Sequence, residues 1–164
     1  MSNTLNRSLK TLFRGLIDGP DSNAAWMLNR GDAGLIRSLD KLTASAASTS
    51  PGAGGASIAA HVDHLRYGLS LMNRWSQGED DPWSTADWTA SWNRSIVNDE
   101  EWAALRQKLG VEARTWLETL GTPRDYTEAR LTDVISSVAH LAYHLGAIRQ
   151  IDRSIRGPLA QGEN

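Results

Sequence analysis

All four histidines of this chain fall in two short runs, His61-Val-Asp-His64 and His140-Leu-Ala-Tyr-His144, and the long stretch between the runs contains none. Neutral imidazole is a ligand for zinc, nickel, iron and copper ions. A helix turns by about 100° per residue, so spacings of three and four put both imidazoles of a pair on one helical face. The i, i+4 pair His140/His144 is a common way for one helix to supply two ligands, and three protein ligands with one open position make a catalytic zinc-type site. The run is not the metalloprotease helix motif, because Leu141 stands where that motif has glutamate. Helical histidines can equally be solvated or hydrogen-bonded within a fold, and spacing alone leaves both readings open.

Each run lies in a segment with helical periodicity. With His140 set at 0°, His144 lies at about 40°, while Val134, Val138, Leu141, Leu145 and Ile148 span roughly 80–160°. With His61 at 0°, Ile58, Val62, Leu65, Leu69 and Met72 lie at about 20–100° and His64 near −60°. Both pairs therefore border an apolar stripe. Ser57 is the expected N-cap of the first of these helices, which runs to about Trp75. The second starts between Thr127 and Thr132 and continues to about Ile155, where Gly157-Pro158 stops it. Three further helices are expected: Leu5 to Ile17, ended by Gly19-Pro20; a helix that starts after Gly31 or Asp32 and runs to about Ala47; and Asp99 to Leu120, with a kink near Gly110. Asp21 or Ser22 could cap a short turn carrying Trp26 and Leu28. The Trp-rich stretch from Trp83 to Asn98 reads as loop with short helical turns, and the last residues as frayed. No alternating β pattern occurs. The fold class is all-α, a single domain over residues 1–164 built as a helical bundle of four principal helices with short accessory ones.

Composition narrows the chemistry. With no cysteine among 164 residues, disulfides, iron–sulfur clusters, zinc–thiolate sites and a cysteine nucleophile are excluded. The formal net charge is −2 and no basic block is present, so nothing electrostatic favours nucleic acid as a partner. The N-terminal segment has no compact apolar core, so neither signal peptide nor membrane span is expected, and the location expected is cytoplasmic. Seven tryptophans against one phenylalanine suit core packing, or an aromatic wall around a pocket or subunit interface.

Two segments, Ser57-Ile-Ala-Ala-His61-Val-Asp-His64-Leu-Arg and His140-Leu-Ala-Tyr-His144-Leu-Gly-Ala-Ile-Arg-Gln150, resemble the DinB-like superfamily, which includes the YfiT-like metal-dependent hydrolases. The resemblance implies a four-helix bundle. It also implies a divalent metal, nickel or zinc, held by one histidine of the second main helix and the HxxxH pair of the last. The family pattern sets Ser or Thr about seven residues before the first ligand and Leu directly after it. Ser57 and Leu65 then select His64, giving His64, His140 and His144 as the metal ligands. His61, nearer the middle of its apolar face, stays as the alternative, or stands behind the ligands or in the substrate cleft.

The resemblance implies metal-dependent hydrolysis, or transfer of a low-molecular-weight thiol, on a small substrate, in a homodimer. No catalytic side chain beyond the ligands can be named. The alternatives are a non-catalytic metal- or ligand-binding stress-response protein and a dimeric helical interaction module. Asp63 lies about 100° from His64 and is a doubtful ligand. Asp133, seven residues before His140, either orients a ligand imidazole or caps its helix. Arg149 either reaches an anionic substrate or lies on a solvated face.

Overall fold

The computed structural model describes residues 2–21, 25–52 and 54–159, the side chains of residues 2 and 3 excepted. The expected cap at Ser22 and the fraying of the last five residues lie outside the described residues. Among these there is no strand. The elements are α1 (Ser2–Asp18), α2 (Gly34–Leu39), α3 (Ala44–Ala47), α4 (Ile58–Ser76), α5 (Asp99–Gly121) and α6 (Glu128–Ile151), with single 3-10 turns at Ala90–Trp92 and Arg153–Ile155. No described helix is long and apolar enough to cross a membrane. The chain falls into two compact units, one of Met1–Lys41 with Leu120–Asn164 and the other of Leu42–Thr119.

In the first unit, α1 packs on α2 and α6. Its buried face carries Leu9, Phe13, Leu16 and Ile17; α6 contributes Val134, Val138, Leu141, Leu145 and Ile148, the stripe read from the sequence. The end of α1 and the start of α2 touch through glycines. Gly19 and Gly34 have φ of +88° and +69°, and a Cβ on Gly34 would collide with the backbone of Asp18 and Gly19. Only glycine combines that left-handed geometry with so close an approach. Asp32 accepts the Gly34 N–H at 2.8 Å and so opens α2. The Asn6 amide donates to the carbonyls of Leu120 and Thr122, at 3.3 and 3.0 Å, satisfying backbone left open where α5 ends.

The expected continuous helix up to Ala47 is broken in two. Asp40 closes α2, Thr43 turns extended (φ −76°, ψ 161°), and its hydroxyl accepts the Ala46 N–H to start α3. The Leu42 carbonyl, released from helical bonding, accepts the indole N–H of the buried Trp102 at 2.8 Å. Ser57 caps α4 as expected, accepting from Ala60 N. Helix α5 runs through Gly110 without interruption. Thr127 caps α6, which stops at Ile151, short of the expected end at Ile155. Asp152 leaves the helical region (φ −125°, ψ 105°), and its carboxylate caps the following 3-10 turn by accepting from Ser154 N. The helix thus ends ahead of the Gly157-Pro158 stop, and Ile155 is buried from the 3-10 turn instead.

Candidate metal centre

In the second unit, α4 places His61 and His64 on its buried side, 9% and 7% exposed. The Trp-rich loop then runs back along this helix and is fastened to it at successive points. The Asp87 N–H donates to the Tyr67 hydroxyl at 2.9 Å. Ser91 Oγ lies 2.8 Å from His64 Nδ1. Arg94 pairs with Asp63 at 3.1 Å, and the Ser57 hydroxyl donates to the Ser95 carbonyl at 2.7 Å. As the loop runs forward its partners run backward along α4, so it lies antiparallel to the helix.

This loop sets the aromatic surroundings of both histidines. Trp92 stacks on His64 with ring centroids 4.1 Å apart, and meets His61 edge-on at 5.3 Å. Trp88 tilts against His64 at 5.6 Å. Packing, one of the two sequence readings of the tryptophans, holds for Trp102 and Trp116, which are buried, while Trp88 and Trp92 lie against the His64 ring.

The hydrogen bonds fix the tautomer of His64. The Ser91 hydroxyl carries one proton, and it donates that proton to the Trp88 carbonyl at 2.6 Å. A carbonyl can only accept, so at Ser91 Oγ the remaining role is acceptor and His64 Nδ1 must donate. With its proton on Nδ1, His64 presents the lone pair of Nε2. Sequence reading missed Ser91 altogether: an Ala-Ser-Trp tripeptide far from His64 in sequence carries no sign of this role.

In the first unit, His144 is buried and His140 half-buried on α6. Their Nε2 atoms converge to 2.9 Å, with the rings perpendicular. Two imidazole nitrogens so placed can share one proton, or turn both lone pairs on a common ion. Burial pushes the pKa of His140, and of His61, below the ordinary imidazole value and so favours the neutral form that binds metals. Among the described residues, His64, His140 and His144 form a group that could hold a metal ion, one ligand atom of each lying within 4.8 Å of the others. His61 is outside this group.

The neighbouring charged residues have other work. Both oxygens of Asp63 are engaged, one by Arg66 at 2.6 Å and one by Arg94 at 3.1 Å. Asp133 pairs with Arg130 at 3.4 Å. Neither role expected for Asp133 is seen: the cap of α6 is Thr127. Arg149 is not on a solvated face but lies against Asp32, at 2.7 and 2.9 Å. Tyr143 is 70% exposed and touches His144 with the edge of one ring to the face of the other.

No curated protein and no solved structure gives a significant match to the chain. Among protein families, the DinB superfamily matches residues 27–147, a span that begins ahead of α2 and includes both histidine runs. That span is well over half of the 164 residues, and with the all-helical fold it shows that the chain belongs to the DinB superfamily.

Proposed function

We propose that this protein is a metal-dependent enzyme acting on a small substrate, with His64, His140 and His144 holding a divalent ion, nickel or zinc. The observation that carries the reading is the grouping of three imidazole nitrogens within 4.8 Å. The donor set fits such an ion: His64 offers Nε2 through the Ser91 bond, and His140 and His144 turn their Nε2 atoms toward one point. An all-nitrogen set suits nickel and zinc better than magnesium or calcium, which prefer oxygen.

A divalent ion there would lower the pKa of a water or a substrate thiol and polarise an electrophile. The reaction proposed is hydrolysis, or transfer of a low-molecular-weight thiol. The chain's own contribution is positional. Trp92 holds the plane of the His64 ring, Ser91 holds its tautomer, and Trp88, 40% exposed, offers an apolar face to a substrate. The proposal extends to a homodimer in the cytoplasm.

The test is metal analysis of untagged protein followed by turnover of thiols, small esters and amides before and after chelation. Metal near one equivalent, and activity lost on chelation and restored by nickel or zinc, is the expected result. Activity indifferent to chelation would reject the mechanism. Bound metal without turnover would assign the site to ligand binding instead. In the same assay His64→Ala loses the metal and His61→Ala keeps it; the reverse would exchange their roles.

Ser91→Ala provides a finer test. Removing a hydrogen-bond partner from behind a ligand imidazole typically weakens metal affinity by about 10- to 100-fold. Competition with a chromogenic chelator is expected to show a loss in that range with the helical content unchanged. Affinity equal to wild type would mean that Ser91 does not set the His64 tautomer.

A further inference from the structure

The first unit contains a cleft of about 480 Å³ walled by residues 27–29, the last turns of α6 and the segment after it. We propose that this cleft is a second ligand site, one that takes a small organic anion through a carboxylate or phosphate group. The inference does not rest on the metal reading.

Charge is the first argument. Three arginines line the cleft, Arg149, Arg153 and Arg156, and the acidic residue among the lining is Asp32. Both Asp32 oxygens are already taken by Arg149, so this carboxylate neutralises Arg149 and leaves the other two guanidinium groups. Arg153 and Arg156 are exposed and form no ion pair among the described residues. Guanidinium groups recognise carboxylate and phosphate by paired N–H donors.

Construction is the second. Asn29 Nδ2 donates to the Pro158 carbonyl at 2.8 Å, tying one wall to the other. Asp152 caps the 3-10 turn that carries Arg153. Gly157 lies so close to Asp32 that a Cβ would strike its carboxylate, so the segment bearing Arg156 is seated on the Asp32–Arg149 pair.

Helical phase separates this site from the histidines. Measured round α6 from His144, His140 stands only about 40° away, whereas Gln150 stands about 120° away, Arg149 about 140° and Gly146 about 160°. The cleft thus lies on the side of α6 away from the imidazoles. A site of about 480 Å³ is in the range of small-molecule sites.

The test is calorimetric titration of the full chain with inorganic phosphate, with succinate and with neutral glycerol, on wild type and on Arg153→Gln/Arg156→Gln. Both arginines are exposed, so the variant is expected to fold normally. Saturable binding of phosphate or succinate, weakened at least tenfold in the variant with metal content unchanged, is the expected outcome. Which of the two binds more tightly tells phosphate from carboxylate as the natural group. The proposal is overturned if neither anion binds saturably, if glycerol binds equally well, or if the variant binds as wild type does.

Discussion

Replacing His140 and His144 together by alanine yields a folded protein that no longer retains metal. Folding survives because alanine is the strongest helix former, and the apolar stripe of α6 (Val134, Val138, Leu141, Leu145 and Ile148) is untouched. Metal is lost because two of three proposed ligands go, including the pair whose Nε2 atoms stand 2.9 Å apart. The loss has a second readout in stability. An ion that binds only the native state stabilises it by about 2.7 kcal/mol when present at 100 times its dissociation constant. Added zinc or nickel should therefore raise the melting temperature of the stripped wild-type protein by several degrees and leave the double variant unmoved. Elemental analysis and thermal scans on the same samples check both. A variant that keeps one equivalent of metal and still responds to added ion would show that the ligands lie elsewhere.

The reach of the sequence follows from the range of the interactions. Ser57 and Thr127 were readable, or nearly so, because a cap is decided within three residues. The buried stripes of α1, α4 and α6 were readable because burial imposes a period. The break at Asp40 to Thr43 was not, since Leu42 keeps the apolar period and neither glycine nor proline marks the stop. The helix closes at Asp40, Thr43 starts a new one by accepting the Ala46 N–H, and Trp102, sixty residues away, takes the Leu42 carbonyl. The histidines were legible as a metal pattern because chemistry and helical spacing coincide there. The grouping of His64 rather than His61 with the later pair depended on family resemblance, for phase alone favoured His61. Ser91, and the stacking of Trp92 on His64, were invisible. Both residues reach α4 through a loop without period, fastened by bonds such as Ser57 to Ser95, and nothing local reports such bonds.

Asp32 is the other position where one substitution has a large expected effect, and its cause is burial. Asp32→Ala should destabilise the protein by about 3–5 kcal/mol, the usual cost of stranding one partner of a buried ion pair. The Asp32 side chain is 2% exposed and that of Arg149 12%. Their contacts at 2.7 and 2.9 Å form a two-point fork, and the same carboxylate accepts the Gly34 N–H at 2.8 Å. Alanine would leave a buried guanidinium without its counter-charge and the first turn of α2 without its acceptor. The Arg74–Glu79 pair is the control: its side chains are 44% and 43% exposed, and exposed pairs contribute little because water and salt screen them. Urea denaturation should therefore show a large drop in midpoint for Asp32→Ala and a small one for Glu79→Ala. Asp32→Asn, which retains an acceptor for Gly34 but not the charge, should fall between them. Asp32→Leu/Arg149→Met should recover part of the loss, since an apolar pair of similar bulk often replaces a buried ion pair at little cost. It should not recover all of it, because the Gly34 N–H still lacks an acceptor, a deficit of about 1–3 kcal/mol. Equal midpoints for Asp32→Ala and Glu79→Ala would show that burial does not set the weight of the Asp32–Arg149 pair.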